Sequence, residues 1–244
     1  MTSQRLDEAL VARGLVQSRA RGRDAVLRGI VRVNGAAARK PSQPVTPDDV
    51  LALADDSAHY VSRAALKLIH GFSVFPIDPQ GKSCADLGAS TGGFTQVLLE
   101  RGARHVTAID VGHGQMAAEI ATDSRVTLKE GLNVRNITPD DLPEDVSLIV
   151  SDLSFISLRV ALPAILALVK PGTELIALIK PQFEVGREAL GKGGVVRDEA
   201  LHAQVCTTIS DFLTGSGWTV LGLAPSPVEG CDGNREFLIA ARKA

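Results

Sequence analysis

The sequence predicts an α/β protein built on a mostly parallel sheet of seven strands with one strand reversed, preceded by a small α+β unit. Three observations carry that expectation. Beyond residue 60, short apolar runs alternate with helical stretches, as in a parallel sheet covered on both faces. The last two candidate strands are joined only by 224–235, a link with Pro225, Pro227, Gly230 and Gly233 that is too irregular for a crossover helix, so the final strand is expected to run antiparallel. Residues 1–60 carry helix, hairpin and turn signals of their own and end in the polar linker Asp55-Asp56-Ser57, which divides the chain into units 1–60 and 61–244.

In chain order, Leu6, Ala9, Leu10 and Leu15 fall at helical spacing. Ser18 is placed to cap a second short helix through Ala25 and Val26, ending near Gly29. Val31-Arg32-Val33 alternates as a strand and runs into Asn34-Gly35, a hairpin signal. Pro41, Pro44 and Pro47 then break the chain before the apolar Val50–Leu53. Candidate strands follow at Ser83–Leu87, His105–Ile109, Arg125–Leu128, Ser147–Ser151, Glu174–Ile179, Trp218–Leu223 and Glu236–Ala241. Helices are expected between most of them, notably Gly93–Arg101, Leu158–Val169 and Asp198–Gly215. Seven strands with one reversed is the arrangement of the Rossmann-like sheet of S-adenosylmethionine-dependent methyltransferases.

Composition excludes several classes. With 244 residues, 45% of them hydrophobic and 22% charged, the chain supports a packed core rather than disorder. Its most apolar stretch, Val160–Val169, is short and contains Pro163, so no membrane span is expected. Met1–Arg13 is polar and charged, unlike a secretory signal. Cys84, Cys206 and Cys231 are too few and scattered for a disulfide framework, and no Cys/His pair has metal-ligand spacing. The expectation is a cytoplasmic monomer without a metal or a membrane attachment.

The overall charge of −2 hides an asymmetry. From Arg13 to Lys40, eight basic residues face Asp24 alone, a net +7. Most are arginines, which match phosphate oxygens with two parallel donors. A basic front on an acidic body suits a nucleic-acid surface, and Arg5, Arg19, Arg21, Arg23, Arg28, Arg32 and Lys40 are its candidate contacts.

The glycine-rich run Asp86-Leu87-Gly88-Ala89-Ser90-Thr91-Gly92-Gly93 joins the first strand of the sheet to a helix. Ligands bind beside such turns at the carboxyl ends of parallel strands. The spacing is not that of a dinucleotide fingerprint, and no phosphate-loop lysine follows. Asp86 suits a cationic amino group, and Asp110, which closes the second strand, suits the two hydroxyls of a ribose. That combination points to S-adenosylmethionine, with Asn133 and Asp152 completing the candidate cofactor set.

Four ionisable residues stand where a core would not want them. Lys67 lies in a helix ahead of the sheet, Asp152 and Lys180 end the fourth and fifth strands, and Glu236 opens the last. Singly, each reads as a solvated charge or a cap; jointly, three of them share one rim beside the glycine-rich turn. A hydroxyl is a poor nucleophile until its proton is shared. A lysine can take that proton only as a neutral amine, which a neighbouring cation and partial burial favour. On this reading Lys180 is the base, Lys67 the neighbour, and Asp152 and Glu236 orient both. The glycine-bearing segment 182–197 is expected to be a lid over the site.

These residues resemble a known family. Arg5-Leu6-Asp7, Val33-Asn34-Gly35, Tyr60-Val61-Ser62-Arg63, the run from Gly88 to Thr95, Ser151–Leu158, Lys180-Pro181-Gln182-Phe183-Glu184, Gly191–Val196 and Gly233–Phe237 are similar to segments of the TlyA family, also called hemolysin A, of rRNA 2′-O-methyltransferases related to FtsJ. The resemblance implies a Lys-Asp-Lys-Glu tetrad at Lys67, Asp152, Lys180 and Glu236, an N-terminal S4-type RNA-binding domain, and a cytidine 2′-hydroxyl in ribosomal RNA or ribosomal subunits as substrate. The length resembles the shorter kind of member, which acts on the large subunit. Ala64-Ala65 and His113 depart from the family's usual glycines and tyrosine. The alternatives are an idle ribosome-assembly factor and a membrane-active haemolysin. The four charges argue against the first, and the lack of a spanning or long amphipathic segment argues against the second.

Overall fold

A computed structural model describes residues 3–16, 18–27, 30–53, 59–230 and 233–244. Arg28, Gly29, the linker 55–57 and Cys231 lie outside the described residues. The chain forms two units, Met1–Tyr60 and Val61–Ala244.

In the first unit, β1 (Gln4–Arg5) leads into α1 (Leu6–Ala12), followed by α2 (Arg19–Leu27), the hairpin of β2 (Val31–Val33) and β3 (Ala36–Ala37), β4 (Pro44–Val45) and β5 (Leu51–Leu53). The hairpin turns through Asn34 and Gly35, both at positive φ (52° and 82°), as a two-residue turn between twisted strands requires. Beside β3, β2 pairs with β5, and β1 pairs with β4, all antiparallel. Leu6, Leu10, Val26, Val31 and Val45 bury one small core. The two helices approach so closely that a β-carbon on Gly22 would lie 2.8 Å from the Asp7 carbonyl, so only glycine fits there.

The second unit begins with α3 (Ala64–Val74) and β6 (Ser83–Leu87). It continues through α4 (Gly93–Glu100), β7 (His105–Asp110), α5 (Ala118–Ala121), β8 (Val126–Glu130) and β9 (Val146–Ser151). Two short helices, α6 (Leu158–Ala161) and α7 (Pro163–Leu168), precede β10 (Glu174–Ile179) and α8 (Pro181–Glu184). The chain closes with α9 (Glu199–Gly215), β11 (Trp218–Pro225) and β12 (Phe237–Lys243). The seven strands lie in the order β11-β12-β10-β9-β6-β7-β8. Those from β6 to β10 run parallel, and β12 is antiparallel to both its neighbours. This is the Rossmann-like methyltransferase sheet with its reversed strand.

One expected element changes. The helix expected over Leu158–Val169 is two helices, because Pro163 has no N–H to continue the first and instead opens the second. The central strands are apolar on both sides, and β6, β10 and nearly all of β9 are wholly buried. Their residues, with Leu162, Ile165, Ile209 and Trp218 from the covering elements, make the core.

Topology determines where a ligand can sit. From β6 the chain steps outward to β7 and β8, then returns to the other side of β6 as β9, which opens a crevice at the carboxyl ends of β6 and β9. Leu87 pairs with Ser151 at that end, and the Asp152 N–H donates to the Leu87 carbonyl at 3.0 Å, an ordinary hydrogen-bond length. The reversal of β12 pairs Phe237 with Ile179, so Glu236 enters the same rim beside Lys180.

Candidate active site

The glycine-rich turn is shaped by its backbone. Gly88, Ser90 and Gly92 all have positive φ (83°, 46° and 94°), and a β-carbon on Gly88 would come within 2.9 Å of the Asp152 carbonyl. The Ser90 and Gly112 amides donate to the two oxygens of Asp110, at 2.8 and 2.7 Å, which fixes that carboxylate at the end of β7. Asn133 accepts from the Arg135 amide at 3.1 Å and starts the short helical turn after β8. Asp110, Asn133, Gly88 and Ser90 border a cavity of about 600 Å³ whose other walls include Ile156 and Val160. A smaller hollow of about 160 Å³ opens against Ala89, Thr91 and Gly93.

Asp86, expected at the cofactor's amino group, is an interior residue that walls neither cavity. Its side chain is fully buried and accepts from the Thr95 hydroxyl of α4 at 2.6 Å, while its other oxygen has no hydrogen-bond partner. Burial, aided by the negative charges of Asp152 and Asp110, pushes its carboxyl up to about 7. An acid whose folded-state pKa is raised binds its proton more tightly folded than unfolded, so stability falls as pH rises between about 4 and 7. Asp86→Asn, which retains an acceptor for Thr95, should flatten that dependence and raise the melting temperature at pH 8. Thermal unfolding across pH would show it; a variant that parallels the wild type at every pH would refute the assignment.

The four candidate catalytic residues form an alternating chain of charges. Lys67 Nζ lies 2.5 Å from Glu236 Oε2 and 3.9 Å from Asp152 Oδ2, and Lys180 Nζ lies 2.5 Å from Asp152 Oδ1. Lys180 also donates to the Ser154 hydroxyl at 2.8 Å. Lys67, Lys180 and Glu236 are buried and Asp152 nearly so, which makes each ion pair obligatory for its partner. Gly230 packs against this chain: a β-carbon there would fall 2.1 Å from Glu236 Oε1. The tetrad walls a cavity of about 580 Å³. Asp152 and Ser154 border this cavity, the larger cofactor-side cavity and the small hollow alike, so one cleft has two lobes that meet at these two residues. Part of the expected lid, including Gln182, Phe183 and Gly193, lines the tetrad lobe. Its far end is held by the Val196 amide donating to Asn234 at 3.1 Å.

Residues 60–243 match the FtsJ-like methyltransferase family, and residues 4–51 match the S4 domain. The chain belongs to the FtsJ-like methyltransferase family. It is 42% identical, over 98% of its length and 89% of the relative's, to the 16S/23S rRNA (cytidine-2′-O)-methyltransferase TlyA of Mycobacterium tuberculosis. It is 37% identical to Hemolysin A of Brachyspira hyodysenteriae, covering 96% of this chain and 98% of that one. Among solved structures, one described as a hemolysin from Streptococcus thermophilus superposes with a TM-score of 0.78 at 38% identity, covering 100% of this chain and 90% of that one. No helix among the described residues is long and apolar enough to cross a membrane.

In this FtsJ-like chain the basic front is partly neutralised from within. Arg5 pairs with Asp7 at 2.9 Å, and Arg19 reaches Asp7 at 3.3 Å and Glu8 at 2.9 Å. The two guanidinium groups hold the Asp7 carboxyl below its ordinary range, Arg5 more than Arg19. Arg13 donates to the Thr46 carbonyl at 2.7 Å and so braces the loop before β5. Arg21 and Arg32 are half-buried, whereas Arg23 and Lys40 are exposed. Arg5, Arg19 and Arg23 nonetheless converge with Ser42 around a cavity of about 600 Å³.

Ser154, Phe155 and Glu184 escaped the reading of site residues. Phe155 is 89% exposed, lines both lobes and has a left-handed backbone at φ 65°. Its ring lies 5.1 Å from that of Phe183. A bulky aromatic exposed at such a φ is the signature of an imposed conformation.

Proposed function

We propose that the chain transfers a methyl group from S-adenosylmethionine to a ribose 2′-hydroxyl of ribosomal RNA, that of a cytidine, in the cytoplasm. The observation that supports this most is the meeting of the two lobes at Asp152 and Ser154, with Lys180 ion-paired to the first and hydrogen-bonded to the second. The cofactor-side lobe has the groups the cofactor needs: fixed carboxylate oxygens on Asp110 that accept from hydroxyls, a polar Asn133, backbone freed by Gly88 and apolar walls. S-adenosylmethionine, when bound, supplies a methyl group activated by a positively charged sulfur.

The protein's residues manage the proton. Lys180 Nζ is ion-paired with Asp152 at 2.5 Å and donates to the Ser154 hydroxyl at 2.8 Å. Lys180 also lines the tetrad lobe, where its amine, once neutral, accepts the 2′-hydroxyl proton. The resulting ammonium is held by Asp152, and Lys67 is held by Glu236. Catalysis is therefore chiefly positioning and proton transfer.

The test is chemical. Labelled methyl from S-adenosylmethionine, incubated with ribosomal subunits, should enter rRNA and leave a dinucleotide resistant to alkali, because a methylated 2′-oxygen cannot attack its phosphate. Label confined to alkali-labile mononucleotides would point to base methylation instead.

The first unit supplies RNA affinity on this reading, through exposed residues such as Arg23 and Lys40. Replacing both by alanine should make the slope of log affinity against log salt shallower by about 1.5, at ~0.7–0.9 per phosphate contact. Titration of an rRNA fragment over a range of potassium chloride would measure it, and an unchanged slope would remove these two from the interface.

A further inference from the structure

Lys180 and the loop carrying Ser154 and Phe155 come from different strand ends, and something must hold them in register. The loop spans the gap between β9 and α6. Its near end is anchored by the Asp152 N–H on the Leu87 carbonyl, at 3.0 Å. Its far end is tied to α8 by Glu184, which accepts from the Ser157 hydroxyl at 2.6 Å and from the Leu158 amide at 2.7 Å. Arg159 Nε stands 3.8 Å away. The Glu184 side chain is only 4% exposed. Burial pushes its carboxyl up, and the Ser157, Leu158 and Arg159 contacts oppose that shift.

Between the two anchors sits Phe155, whose φ of 65° persists only where the surroundings impose it. Phe183, its ring partner, and Glu184 both belong to α8, which starts immediately after Lys180. The Phe183 amide donates to the Lys180 carbonyl at 2.9 Å, so α8 is continuous with the strand end that presents the lysine.

We propose that Glu184 is a positioning residue that clamps the Ser154–Phe155 loop to the Lys180 strand end. It acts through the geometry of two accepted hydrogen bonds, and it holds the Ser154 hydroxyl on Lys180 and the Phe155 ring at the mouth of the tetrad lobe. The inference rests on the reading of Lys180 as the base. Loss of the clamp frees the Ser154 hydroxyl from Lys180, while Asp110, Asn133 and the glycine-rich turn, which wall the cofactor-side lobe from other elements, keep their places.

Three substitutions separate geometry from charge. Glu184→Gln keeps an acceptor for the Leu158 amide, and its NH₂ can donate to the Ser157 oxygen once that hydroxyl turns, so kcat should stay within about threefold of wild type. Glu184→Asp keeps the charge but withdraws it by one methylene, and Glu184→Ala removes it. Both should lower kcat about 10- to 100-fold, the scale of a small misplacement of reacting groups, with little change in KM for S-adenosylmethionine. Calorimetric cofactor binding confirms folding of each variant. An alanine variant with wild-type kcat, an aspartate variant that works while the glutamine one fails, or a loss confined to cofactor KM would each overturn the clamp. Lys180→Ala run alongside keeps the two readings apart: if it too retains activity, the base assignment has failed rather than the clamp.

Discussion

Lys180→Ala should reduce the single-turnover rate of rRNA methylation by ~10²–10⁴, or about 2.7–5.5 kcal/mol of transition-state stabilisation, with cofactor affinity almost unchanged. The size follows from the lysine's position. Its amine is ion-paired with Asp152 and donates to Ser154 at the junction of the two lobes, whereas Lys180 itself does not wall the cofactor-side lobe, which Asp110 and Asn133 border. Lys67→Ala should also slow the step, because it leaves the buried Glu236 without its 2.5 Å partner. Residues that act as one unit do not lose independently, so the double variant should be little slower than Lys180→Ala alone. Quenched single-turnover assays of the two single variants and the double variant would check this. Near wild-type turnover by Lys180→Ala would leave positioning alone as the source of the rate.

Asp152→Asn should cost a comparable factor, ~10² or more in rate, and unlike the lysine change it should weaken cofactor binding as well. Asp152 is the carboxylate between the two ammonium groups, 2.5 Å from one and 3.9 Å from the other, and it also walls the cofactor-side lobe. The amide fills the same space but compensates neither cation, so two buried positive charges are left with Glu236 alone. Calorimetry with S-adenosylmethionine, beside the rate measurement, separates the two losses. Unimpaired cofactor affinity would place Asp152 wholly on the acceptor side.

Much of this was legible in the sequence because strand ends leave a signature. A charge that interrupts an apolar run, as at Asp152 after Ser147–Ser151 or Lys180 after Glu174–Ile179, marks the rim of a buried parallel sheet. Glu236 became legible only through topology, since the turn-rich link before it required a reversed strand. Other features left no periodic trace. Asp86 leads the glycine-rich turn in the sequence, yet strand pairing turns its side chain into the interior against Thr95. The Glu184 clamp joins residues 26 and 27 positions apart through side-chain hydrogen bonds, which no local pattern encodes. Charge counting also overstated the basic front: a window opening at Arg13 omits Asp7 and Glu8, the two residues that neutralise Arg19. Pro163, by contrast, was visible, and its lack of a donor is what breaks the expected helix.

Methyl delivery to a ribose oxygen by the tetrad can be read directly by nucleoside mass spectrometry of rRNA taken from ribosomal subunits after a single turnover with S-adenosylmethionine. Wild-type protein should leave one new 2′-O-methylcytidine per modified site, and Lys180→Ala only a trace over the same interval. A methyl group found on the base, or equal yields of 2′-O-methylcytidine from both proteins, would contradict that delivery.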